Sequence, residues 1–330
     1  MSYESPELLE LPFDQYQRYR LLAEVADILR PDEQRLRVLE VGGYPPRLPR
    51  FLAHDEVIVT DQPAGDFPGY LQADGARLPF RDREFDLVAS LDTLEHLPAD
   101  RRGVFLDELC RTAKDYLVVA APFQLEAARE AERIIFDFIR VHAGYEHIFF
   151  KEHLERAAPD QVEAEKQLIA AGFHTLVLAN GRLDHWLMLM AIYYFLDGRP
   201  EYEPVKARTM SLWNKNYYHS DNQEPAYRHF LVGSRQPFGR AEARLLALIS
   251  QEPAPALDLE SVKAVIEIAR LDSDRRLRGQ IAELENLLTA REREVEGLKA
   301  EMEGLQKFVA RLKSSLAFRV YSFLFQRPKS

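Results

Sequence analysis

This 330-residue chain holds a single cysteine, Cys110, so no disulfide can form within it. The residue lies in the helical pattern VFLDELC, which predicts a buried, inert thiol in a reducing cytoplasm rather than a nucleophile. Positive charge is also short: 43 Lys and Arg face 53 Asp and Glu, a formal net charge of −10. Nucleic-acid binders generally present basic faces, so no nucleic-acid partner is expected. Long apolar runs are missing. The longest, Trp186–Leu196 (WLMLMAIYYFL), has about half the ~20 residues a bilayer-spanning helix needs, and Asp184 and Asp197 bracket it. It reads as a buried helix or a subunit contact. The start, MSYESPELLELP, has neither a basic n-region nor an apolar h-region, so no secretion signal is expected. Metal-ligand spacing is lacking as well. LEHL at 94–97 is not H-E-x-x-H and no cysteine pair exists, so no metal site is expected.

What is present is concentrated between Arg37 and Leu97. RVLEVGGYPPRLPRFL, VIVTDQ and QADGARLPFRDREFDLVASLDTLEHL each place glycine or an acidic group just after a short apolar run. Val38–Val41, Val57–Thr60 and Phe85–Ser90 are the candidate strands, followed by Gly42–Gly43, Asp61 and Asp92. In an open α/β sheet, ligands bind in the crevice beyond the carboxyl ends of the strands. A carboxylate accepts two hydrogen bonds from adjacent hydroxyls and suits a ribose diol. Neither G-x-G-x-x-G nor G-x-x-x-x-G-K occurs at the first turn.

The order and spacing of these pieces resemble the class I S-adenosylmethionine (SAM)-dependent methyltransferases, particularly their small-molecule branch. In the pattern acidic-x-Gly-x-Gly-x-Gly, Glu40 and Gly42 match, while Tyr44 and Pro46 replace the later glycines and Gly43 partly compensates. The resemblance implies SAM as cofactor, with Asp61, followed by Gln62, on the ribose and Asp74, beside Gly75, on the adenine amino group. Asp92 and the stretch Leu94, Glu95, His96 then border the methyl-transfer pocket. It implies an α/β fold: a Rossmann-like seven-stranded sheet with helices on both faces. An acidic pocket also favours a sulfonium cation over a phosphate-rich cofactor. His96, His142 and His147 are the candidate bases, because imidazole titrates near neutrality, and Glu146 is placed to orient His147.

Along the chain, residues 13–30 read as an amphipathic helix before the first strand, with Tyr16 and Arg18 either facing the ligand or packed. Residues 100–113 and 161–171 read as helices and Tyr116–Ala121 as a strand. The last two strands, 173–179 and 227–233, pair antiparallel in the family, with 180–226 as an insertion. The methyltransferase domain is thus expected over 1–236, followed by a helical linker over 237–274, broken by EPAPALD at 252–258. A heptad repeat then begins. Ile281, Leu288, Val295, Met302, Val309 and Leu316 occupy a; Leu277, Leu284, Arg291, Leu298, Leu305 and Leu312 occupy d. A coiled coil over 275–316 is expected, making the chain a homo-oligomer; β-branched residues at a with Leu at d favour a parallel dimer and leave a trimer open. The tail 317–330 is aromatic and basic, fit for a membrane surface at the inner face or a protein partner.

The combination of domain and coil resembles methyltransferases of bacterial surface-polysaccharide assembly, implying a small-molecule or glycan-intermediate acceptor. Two other readings remain. The departures at Tyr44 and Pro46 suit a non-catalytic coiled-coil scaffold, and Asp61 would equally serve an NAD(P)-dependent oxidoreductase.

Overall fold

The computed structural model describes residues 3–32, 34–198, 200–249, 259–315, 319–321 and 324. Two helices, α1 (Pro6–Leu9) and α2 (Phe13–Leu29), precede the sheet. Then follow β1 (Arg37–Val41), β2 (Glu56–Asp61), β3 (Tyr70–Gln72) and β4 (Phe85–Leu91). Next come α3 (Ala99–Thr112), β5 (Ala113–Ala121), α4 (Glu126–His142), α5 (Ile148–Glu155) and α6 (Gln161–Ala170). Strand β6 (His174–Arg182) is joined to β7 (Ala226–Ser234) through α7 (Leu183–Leu196) and α8 (Glu203–Asn216). Helices α9 (Arg240–Leu246) and α10 (Leu259–Ser314) follow.

The seven strands form one sheet in the order β3-β2-β1-β4-β5-β7-β6. Strands β1 to β5 run parallel, whereas β7 lies antiparallel between β5 and β6. This is the expected Rossmann-like seven-stranded sheet, with helices on both faces. Side chains alternate along a strand, and each central strand feeds both faces accordingly. Val38, Leu87, Val118 and Phe230 pack beneath Leu21, Leu22 and Val25 of α2. Their sequence neighbours Leu39, Val88, Val119 and Leu231 pack under Phe105, Leu109 and Leu168 of α3 and α6. All nine residues of β7 are buried, as a strand flanked by neighbours and covered on both faces must be.

The apolar run Trp186–Leu196 lies in α7 within a third cluster, with Phe13, Ile135 of α4 and Met210 of α8. Trp186 stacks on Tyr227 at 3.9 Å and 12°. The first turns of α7 are buried while Phe195 near its end is exposed, and no described helix is long and apolar enough to cross a membrane. Cys110 is buried, which pushes its thiol up to about 12.

The chain divides into two compact units, Met1–Arg270 and Leu271–Ser330. In the second, α10 continues without a break through the heptads, and every described apolar a and d residue from Leu277 to Leu312 is exposed. Arg291, the polar d residue, pairs with Glu294 at 2.5 Å. Leu316, the segment 252–258 and most of the 317–330 tail lie outside the described residues.

Candidate functional site

The loops after β1, β2 and β4 open onto one cleft of about 760 Å³, within the ~300–1,000 Å³ of small-molecule sites. One wall carries Gly42, Tyr44, Asp61 and Gln62; a second carries Asp74, Gly75 and Phe105; the β4 loop adds Asp92, Thr93, Glu95 and His96. Asp14, Arg18 and Tyr19 of α2 border the cleft, with His147, His153 and Tyr194 opposite.

The glycines answer first to the protein's own packing. Gly42 sits at φ +89°, where an added Cβ would lie 2.2 Å from Thr93 Oγ1. A Cβ on Gly43 would lie 2.3 Å from Glu40 Cδ, and one on Gly75 2.5 Å from the Phe105 ring. The turn therefore hugs both the β4 loop and the acid beneath it, leaving space above. Tyr44 does not fill that space: its ring packs edge-on against Tyr70 and Phe67 at 5.5 and 5.9 Å, and the Tyr44–Pro45 bend lines the cleft wall.

Asp61 accepts the backbone N–H of Tyr44 at 3.1 Å on Oδ2 and that of Gln62 at 2.6 Å on Oδ1. A carboxylate offers about four acceptor sites, so capacity remains for a diol. Asp74 accepts the Ala76 N–H at 3.0 Å and the Arg101 guanidinium at 2.8 Å, which together hold its carboxyl below the usual range.

Other expected residues sit away from the cleft surface. Glu40 is fully buried under the turn. Its oxygens make no hydrogen bond of good geometry although the Tyr19 phenol approaches, and burial raises the carboxyl to about 8. Leu94 belongs to the core beneath α3. His142 does not line the cleft; it stacks between Phe138 at 5.2 Å and Phe195 at 4.8 Å. Tyr16 is core, whereas Arg18 lines the cleft. Glu146 pairs with Lys151 at 2.6 Å and leaves His147 to Tyr194, whose hydroxyl lies 2.8 Å from Nε2.

Asp92 is held at φ +48° by two arginines, Arg18 at 2.6 Å and Arg228 at 2.7 Å. Asp14 closes the ring, 3.0 Å from Arg18 and 2.5 Å from Arg228. Two acids and two bases, alternating, neutralise one another where α2, β7 and the β4 loop meet. Sequence reasoning assigned no role to Arg228 or Asp14, because their positions carry no local signal.

His96 and His147 both border the cleft, and burial lowers the basicity of each. A third histidine, His153 of α5, sits beside His96 with ring centroids 4.7 Å apart. Glu95 and His153 also border a second cavity of about 300 Å³ lined by Phe123, Leu125 and Ala128.

Residues 52–116 match the methyltransferase domain family. The chain carries a methyltransferase domain. Its cofactor is accordingly SAM, and the protein is a SAM-dependent methyltransferase. Among solved structures it is similar to a SAM-dependent methyltransferase of Thermotoga maritima (16% identity, 70% of this chain and 99% of that one, TM-score 0.40). It is also similar to the magnesium protoporphyrin IX methyltransferase of Synechocystis with bound S-adenosylhomocysteine (15%, 70% and 86%, 0.38). A further similar structure is the YcgJ protein of Bacillus subtilis (12%, 67% and 100%, 0.39). No curated protein matches the chain.

Proposed function

We propose that this methyltransferase holds SAM across the β1, β2 and β4 loops and passes its methyl group to a small-molecule or sugar-containing acceptor of the surface-polysaccharide kind. In this reading Asp61 takes the ribose diol, Asp74 the adenine amino group, and the β4 loop the methyl-transfer end. The observation that carries it is the open cleft bordered by Gly42, Asp61, Asp74 and Asp92 together. A scaffold would need no such cavity beside two acidic loops, and a nicotinamide cofactor would bring its phosphates against them.

Methyl transfer from a sulfonium is an in-line displacement, so positioning supplies much of the acceleration. A hydroxyl acceptor also has a proton to lose. His147 suits that task best. In the tautomer whose Nε2–H donates to the Tyr194 oxygen, Nδ1 keeps a lone pair, and that atom is buried without another partner. Burial keeps the ring neutral.

Residues 1–236 are assigned to the methyltransferase domain, 180–226 to acceptor specificity, and 237–274 to a helical linker. The heptad segment 275–316 is assigned to a parallel homodimer. The basic aromatic tail 317–330 is assigned to the inner membrane face in the cytoplasm.

Calorimetry of the full chain with SAM, S-adenosylhomocysteine and NAD(P)H tests the reading. Micromolar binding of the first two, weakened about 100-fold or more in Asp61→Ala, is expected from the loss of two charge-assisted hydrogen bonds of about 1.5–3 kcal/mol each. No binding at millimolar SAM would favour the scaffold, and binding of NAD(P)H instead would favour an oxidoreductase.

A further inference from the structure

His96 and His153 are 57 positions apart in sequence, yet their Nε2 atoms face each other at 3.4 Å. Each ring has a carboxylate on its other nitrogen: Glu152 lies 3.2 Å from His96 Nδ1, and Glu132 lies 2.7 Å from His153 Nδ1. Glu132 Oε1 is fixed in turn by the Tyr227 hydroxyl at 2.8 Å. Carboxylates accept, so both rings place their N–H on Nδ1 and turn an Nε2 lone pair towards the other. Two lone pairs converging at that distance repel unless something positive lies between them. The third member is Glu95, whose side chain is buried, the residue only 3% exposed, with neither carboxylate oxygen hydrogen-bonded. A carboxyl desolvated to that degree either keeps a proton or takes a counter-charge. Its oxygen and the two imidazole nitrogens lie within 4.8 Å of one another.

We propose that Glu95, His96 and His153 form a binding site for a divalent transition-metal ion, with zinc as the type cation. Two nitrogens each about 2.05 Å from a tetrahedral ion stand roughly 3.3 Å apart, which is the separation the two Nε2 atoms already have. Imidazole and carboxylate donors suit zinc and its neighbours rather than magnesium or calcium. The flanking Glu152 and Glu132 supply the outer shell that metal-ligating histidines usually have: a carboxylate on the second ring nitrogen, fixing tautomer and orientation. Three protein ligands leave a coordination position open, as catalytic rather than structural sites do. Glu95 and His153 border both the main cleft and the smaller apolar cavity, so an oxygen of a molecule in either can reach the ion. The proposal stands independently of the methyl-acceptor assignment, because metal binding is read without turnover.

The full-length chain, stripped with chelator, is titrated with Zn²⁺ by calorimetry and with Co²⁺ by visible absorption. One equivalent per chain is expected to bind at micromolar or lower concentration and to raise the melting temperature. Glu95→Gln and His153→Ala should each weaken binding at least 100-fold, and Glu132→Gln, which only orients a ligand, about 10–100-fold. Should His153→Ala fail to fold, the milder His96→Gln takes its place. No binding at millimolar metal, or an affinity unchanged in Glu95→Gln and His96→Gln, overturns the proposal. The first result would leave a histidine pair sharing a proton, and the second would assign the metal to other histidines.

Discussion

Arg228, a β7 residue, reaches 2.7 Å from Asp92 in the loop after β4, and its side chain is 1% exposed. With Arg18 and Asp14 it forms a closed ring of alternating charge at the edge of the cleft. The ring explains how Asp92 keeps a left-handed backbone at φ +48°, a conformation costly for most residues with a Cβ and easiest for Asp or Asn.

Removing one member of a buried charge ring leaves the others uncompensated, which typically costs about 3–5 kcal/mol. Arg228→Met should therefore destabilise the protein by that amount in urea unfolding. Adding Asp92→Asn should return part of the loss, since the stranded carboxylate is gone. A double-mutant cycle with no coupling between the two positions would mean that the ring is not an energetic unit.

Glu40 makes the stability of the ligand-free protein depend on pH. Its carboxyl is raised to about 8 in the fold by burial, against an ordinary value near ~4.3. Between those values the folded protein holds a proton that the unfolded chain has released, so stability falls as pH rises from about 5 to about 8. Glu40→Gln removes that dependence and should gain on the wild type across the window, by an amount on the order of 5 kcal/mol. Parallel stability–pH curves for the two proteins would place an ionised Glu40 in the fold.

His147→Ala should lower the turnover of a hydroxyl acceptor about 10²–10⁴-fold while leaving SAM affinity within a few-fold. Tyr194→Phe should cost less, because it frees the ring without removing it. Equal turnover in wild type and His147→Ala would send the search for the base elsewhere in the cleft.

The exposed heptad face predicts assembly. Deleting residues 275–330 should yield a folded domain with the mass of one chain by light scattering, against two for the full-length protein. Replacing Leu284 and Leu298 with Lys should split the dimer without shortening the chain. A full-length mass of one chain would show the helix to be solitary.

Much of the sheet could be read from local pattern. β1, β2 and β4 lie within a residue of the apolar runs that announced them, and α2 runs over 13–29 against an expected 13–30. β6 extends three residues past its expected end, to Arg182, where the pairing with β7 outlasts the apolar stretch. Helix α10 starts well before the heptads because helical propensity needs no seam to propagate.

Sequence alone determined the alternation of strands and helices, the acidic and glycine residues capping three strands, and the heptad period, because each is a regularity among near neighbours. Tertiary structure decided which side chains meet. It drew Arg228 to Asp92, His153 to His96 and Tyr194 to His147, and it turned Glu40 and Leu94 inward rather than towards the cleft. An antiparallel β7 inserted beside β5, and the helices crossing above it, join positions far apart in the chain. Nothing in the local periodicity of the residues encodes such a meeting, since it arises from closing the sheet and burying both its faces.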